Sequence, residues 1–195
     1  MEILKIKTYN FDDINLVKKD NLYFINYNKA PHPKIQLPIF TVLNNNCIPP
    51  PNSKYYKSDI DRAFLKVSVN EESVLDFFNS YNTVIKEIVN KKSLIYYPNI
   101  TDSTIKLKLN VQDDKITTLL YDENKKIIEY KDLDELSSYI KKDTELRIIV
   151  FPSKVWTMNK NFGLHFKVYA IQIISQPLQR QISQEAIFNS DSESN

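Results

Sequence analysis

Glycine is almost missing from this chain: its 195 residues hold one, Gly163. The phosphate-cradling loops of P-loop and dinucleotide-binding proteins need several glycines where backbone closes on phosphate, so both are excluded. Cysteine is equally scarce. Cys47 alone cannot form an internal disulfide, and the opening run "MEILKIKTYNF" lacks the basic-then-apolar layout of a signal peptide. Together these lead us to expect an intracellular protein. The two histidines, His32 and His165, make no zinc site with one cysteine unless carboxylates complete it. They are also the only bases open to a Ser-His-Asp arrangement, and His32, between prolines in "APHPK", reads as part of a rigid surface turn. No apolar run approaches the ~20 residues that cross a bilayer. We therefore expect no enzyme, no cofactor, no metal and no membrane partner. The acid pairs Asp12–Asp13, Asp59/Asp61 and Asp113–Asp114 fall at turns or strand ends, where Asp serves the backbone. A carboxylate-held Mg²⁺ in a nuclease is the remaining catalytic alternative.

What is present is an ordinary globular balance, 42% hydrophobic and 26% charged, enough for one well-cored domain. Lys, Asn, Ile and Tyr are abundant while Ala and Arg are scarce, the bias of an AT-rich coding sequence, so placement carries more information than totals. Net charge is +2 but unevenly spread. The last eleven residues, "EAIFNSDSESN", hold Glu185, Asp191 and Glu193 and no base, leaving the body of the chain more basic than the whole. That is a modest sign of a polyanionic partner. We expect one domain over residues 1–178 and a polar, acidic, disordered tail over 179–195.

The pattern is mostly strands with two helices. Runs rich in β-branched and aromatic residues predict strands over 2–8, 22–27, 35–43 and 63–69, the third interrupted by Pro38 and so at an edge or bulged. Residues 44–58, "NNNCIPPPNSKYYKS", form the clearest long loop. Residues 70–90 predict a helix capped by Asn70, with Val74, Phe77, Phe78, Tyr81, Val84, Ile85 and Ile88 on one core-facing side. A strand follows over 104–112, a hairpin turning at 122–125, and a short helix over 132–141 capped by Asp132. Two long strands, 146–158 and 162–174, are joined by the turn "NKNFG", where Gly163 is expected to take a positive φ and to leave the outer face open. The expected fold is mainly β: a five-stranded barrel of oligonucleotide-binding type with added hairpins and an interposed helix, with a β-sandwich or another α+β sheet as the alternatives.

Strand alternation sorts the side chains into faces. Phe162, Leu164, Phe166 and Val168 point one way, and His165, Lys167 and Tyr169 the other. Ile105, Leu107 and Leu109 point inward, leaving Lys106 and Lys108 outside. Phe64 and Lys66 share the outer side of their strand, as do Lys154, Trp156 and Met158. Four strands thus each present a base beside an aromatic or small polar residue, the mixture that single-strand binders use: lysines on phosphates, rings under bases. The candidate site is Phe64, Lys66, Lys106, Lys108, Lys154, Trp156, His165, Lys167 and Tyr169, with Tyr55 and Tyr56 in the long loop.

Residues 146–173, "LRIIVFPSKVWTMNKNFGLHFKVYAIQI", resemble the final strand pair of the single-stranded DNA-binding proteins of large nucleocytoplasmic DNA viruses, which are related in fold to phage replicative single-strand binders. The shared features are a β-rich run, a Trp, a short Asn/Lys turn, an aromatic-Gly pair and a long alternating strand. The resemblance implies an oligonucleotide-binding barrel that coats exposed strands during replication, in host cytoplasm or nucleus. The acidic end with Phe188 resembles tails that recruit replication proteins. The expected partner is single-stranded DNA, or RNA; the alternative is a viral structural or protein-interaction domain with no nucleic-acid ligand.

Overall fold

The computed structural model describes residues 3–19, 22–28, 30–51, 56, 58–89 and 94–177. Tyr55 and the expected acidic tail lie outside the described residues. The fold is mainly β with two helices.

β1 (Ile3–Lys5) is shorter than the strand expected over 2–8. Its parallel partner offers only three residues, and the chain then closes into a 3-10 turn at Ile6–Thr8. β2 (Ile14–Lys19) is a strand the sequence pattern did not announce. It pairs along its length with β3 (Leu22–Tyr27); burial alternates from Ile14 to Val17, but the exposed outer residue Val17 is apolar, which hides the alternation in the sequence. After the two-residue β4 (Ala30–Pro31), the strand expected over 35–43 is split around Pro38 into β5 (Lys34–Gln36) and β6 (Phe40–Thr41). Proline offers no amide to a ladder, so the chain breaks there and rejoins the same long neighbour.

β7 (Phe64–Ser68) leads into α1 (Glu72–Val89), which buries Val74, Phe77, Phe78, Tyr81 and Ile85 while Ile88 at its end stays exposed. β8 (Ile95–Tyr96) and β9 (Ile100–Thr101) are short pieces before β10 (Thr104–Leu109). The strand expected to reach 112 stops at Leu109. β11 (Val111–Gln112) and β12 (Lys115–Ile116) form their own hairpin across Asp113 and Asp114, whose φ values of 49° and 57° make the tight turn. β13 (Leu119–Tyr121) turns at Asp122 as expected, but the return makes a single bridge, Tyr121 to Ile127. α2 (Leu133–Tyr139) is capped by Asp132, whose carboxylate accepts from the Glu135 amide at 2.8 Å.

The centre is the hairpin of β14 (Glu145–Met158) and β15 (Asn161–Ser175). Pairing runs β1-β5-β14-β15-β10-β7, with β3 and β6 also on β14 and β13 also on β15. No ladder among the described residues closes this path. Instead the segment 40–47 crosses between its sides. Val42 donates to Thr144 O beside β14, and Leu43 donates to Ser68 O on β7. Asn44 then extends the β7 edge with its side chain, accepting from the Ser68 amide at 2.7 Å and donating to Lys66 O at 3.0 Å. The first part of the long loop is therefore an edge cover. Beneath the sheet, Phe166 of β15 meets the rings of Phe78 and Tyr81 on α1 at 5.0 and 4.9 Å. This helix-backed core holds the opposite face of the strands in place.

Candidate nucleic-acid interface

Strand register assembles the outward residues into rows. Phe64 on β7 faces Lys108 on β10, Lys108 faces Lys167 on β15, and Lys167 faces Phe151 on β14. Four adjacent strands thus carry aromatic, lysine, lysine, aromatic in one line, about 15 Å across at the usual strand spacing. One step along, Lys66 faces Lys106, and Lys154 faces both His165 and Phe24. Lys66, Lys106, Lys108, Lys154, His165 and Lys167 therefore share a face.

The electrostatics of that face are one-sided. Burial, then Lys66 and Lys108, pull the Lys106 ammonium below the ordinary lysine range. Burial, then Lys154 and Lys167, do the same to Lys108, and burial and Lys154 to Lys167. His165 is pulled down to about 4 by burial and then by Lys108, Lys154, Lys106 and Lys167, so its ring is neutral near pH 7. Among the described residues both ion pairs belong to Arg62, with Asp59 and Asp134. The lysine face has no carboxylate of its own there; Lys167 reaches only the Asn110 amide oxygen, at 3.5 Å.

The rings differ in availability. Trp156 is half-buried and stacks on His165, 5.8 Å between centroids and 27° between planes. Tyr97, 62% exposed, stands 6.2 Å from the indole. These three, with Pro98, Asn99, Lys106 and Lys108, line a cleft of about 80 Å³. Phe64 lies on the outer side of β7 as the alternation requires, yet it is buried. The Tyr56 ring packs against it edge-on at 5.4 Å, and the Lys106 ammonium sits 4.4 Å from its centroid. Phe64 thus backs the lysines rather than offering an open ring, while Tyr56, which covers it, is half-buried. Tyr169 continues the outer row of β15, but the Lys34 ammonium stands over its ring at 3.0 Å, beside a second cleft with Arg147, Lys125 and Gln172.

Gly163 corrects the expectation built on it. Its φ is not positive; the left-handed residue of the turn is Asn159, at 55°. Gly163 lies within β15 opposite Trp156, and a Cβ there would come within 2.7 Å of the Tyr97 carbonyl oxygen and 2.8 Å of the indole Cζ2. The missing side chain is filled by the indole and the 97 backbone, so glycine seats Trp156 rather than opening the face.

No family model and no curated protein matches this sequence. Among solved structures, the chain is similar to a single-stranded DNA-binding protein from bacteriophage Enc34 in complex with ssDNA, at 7% identity over 85% of this chain and 97% of that one, with a TM-score of 0.46. It is also similar to gp2.5, a single-stranded DNA-binding protein encoded by bacteriophage T7, at 12% identity over 77% of this chain and 97% of that one, with a TM-score of 0.44.

Several residues of the face escaped the sequence reading. Phe24, Phe151, Lys34, Arg147, Tyr97 and Asn99 all belong to it or border it. Phe151 was hidden by the register shift between Pro152 and Lys154, which changes the alternation in mid-strand. A proline inside a strand signals such a bulge and was the available clue. The acid pairs are occupied with turns and, for Asp59, with Arg62. No group of three or more metal-ligating side chains is found among the described residues.

Proposed function

We infer that the protein binds single-stranded DNA with tolerance of sequence, as a non-enzymatic coat for strands exposed in replication, repair or recombination. One observation carries the reading: five lysines gather with aromatic rings on one sheet face, burial and neighbouring lysines hold Lys106, Lys108 and Lys167 below their ordinary range, and among the described residues none of the five is in an ion pair. Such an arrangement opposes folding and is relieved by a polyanion. Rings standing between the lysines favour a ligand whose bases are unpaired and free to stack. RNA offers the same chemistry and is the alternative strand. We read the sheet, with segment 40–47 across its open side, as an oligonucleotide-binding-type barrel with added hairpins. On the resemblance of residues 146–173, its place is at viral replication sites.

The chain has a single tryptophan, so its fluorescence reports the cleft alone. Oligo-dT is expected to quench Trp156, and heparin, a polyanion without bases, is not. Equal quenching by both, or none by either, contradicts stacking. A second reading, a protein-interaction domain, is favoured by Ile95 and Met158, 66% and 65% exposed, both paired with Asn161 at the hairpin tip.

A further inference from the structure

Among the described residues, one buried side-chain nitrogen or oxygen has no hydrogen-bond partner: Nδ2 of Asn99. Folded proteins keep few such groups, and an unmade buried donor is destabilising until something accepts from it. The position of this one is informative, because Asn99 lines the cleft with Tyr97, Trp156 and His165. Its backbone is pinned, the carbonyl accepting from the Lys106 amide at 2.9 Å. Only its side-chain torsions remain to bring the N–H₂ to a ligand.

The rest of the cleft suits a flat ring. Trp156 and His165 form a stacked wall, Tyr97 stands beside the indole, and Lys106 and Lys108 line the same cleft. A volume of about 80 Å³ accommodates several waters at roughly 10–15 Å³ each, or the inserted edge of one base.

We propose that this cleft takes a single base of the bound strand, with the Asn99 amide donating to an acceptor on the edge of that base. The proposal rests on the single-strand reading above. Thymine presents O2 and O4, cytosine presents O2, and adenine presents its ring nitrogens, so each base offers the N–H₂ an acceptor. Stacking on aromatic walls is likewise tolerant of base identity, so the cleft holds a base without choosing a sequence.

The test compares short oligo-dT with an oligomer of difluorotoluene nucleotides, which keeps the shape of thymine and lacks its keto oxygens, at fixed salt, by anisotropy, on the wild-type chain and on Asn99→Ala, with melting temperatures alongside. The wild type is expected to hold oligo-dT about tenfold tighter than the isostere, the size of one buried hydrogen bond made against one left unmade. Asn99→Ala is expected to abolish that difference by weakening oligo-dT, without lowering the melting temperature, since the N–H₂ it deletes had no partner. Equal binding of the two oligomers by the wild type, or a difference kept in Asn99→Ala, overturns the proposal. Wild-type protein that binds both oligomers alike loses only this inference, whereas wild-type protein that binds neither loses the single-strand reading itself.

Discussion

Lys108 has Lys167 directly across the ladder and Lys154 close by, and burial together with these charges pulls its ammonium below the ordinary range. A residue held this way should be better for binding than for folding. Lys108→Gln is expected to stabilise the fold by roughly 0.2–1 kcal/mol, the scale of like charges set opposite one another in a sheet. The same change should weaken oligo-dT binding and make the log–log salt slope shallower by about 0.7; urea titration and anisotropy on one preparation read both. His165 gives a second residue-level expectation. Unfolded, its pKa returns to roughly 6.5; folded, it is about 4. Between those values the unfolded chain binds a proton that the folded chain refuses, so stability rises with pH across the window. The contribution is whole above the ordinary histidine pKa and is lost as pH falls toward 4. Replacing His165 by Gln should flatten that part of the stability–pH profile, as measured by urea midpoints from pH 7.5 down to 4.5. An unchanged profile would mean that neither burial nor the lysines act on this ring.

The β14–β15 hairpin is the element on which both the face and the cleft depend. Gly163→Ala would drive a methyl against a backbone carbonyl and an indole that cannot both move freely. A loss of about 1–3 kcal/mol is expected, as for overpacking elsewhere, with a shift in Trp156 emission. An unshifted spectrum at full stability would show that the seat is looser than these distances imply. This element also marks what was legible beforehand. Alternation placed Lys106, Lys108, His165 and Lys167 on one side, because a half-buried strand writes its two faces into every second residue. It could not place Phe151, whose register is reset by a bulge, nor Tyr97 and Asn99, which arrive from a loop with no period to read. Alternation put Phe64 on the outer side but could not show that Tyr56 and Lys106 cover it. Gly163 stands out by its rarity, and close approach, not a positive φ, is what requires it. A lone glycine signals either a positive φ or a close approach, and only the surroundings choose between them.

At the scale of the whole molecule, a net charge of +2 understates the asymmetry. Both ion pairs among the described residues sit around Arg62, and the sheet face carries its lysines without a counter-charge of that kind. Its underside is fixed by α1 through Phe78, Tyr81 and Phe166, so the face is presented on a packed core. Local concentration of like charge on a rigid sheet, rather than total charge, is what the proposed function uses. The most direct test is fluorescence anisotropy with labelled oligo-dT, oligo-rU and a duplex of the same length, each at low and high salt. The account predicts that single strands bind more tightly than duplex, with a slope of roughly −0.7 for each phosphate met, near −3.5 if all five lysines engage. No binding of single strands at low salt, or a duplex bound as tightly as they are, would contradict it.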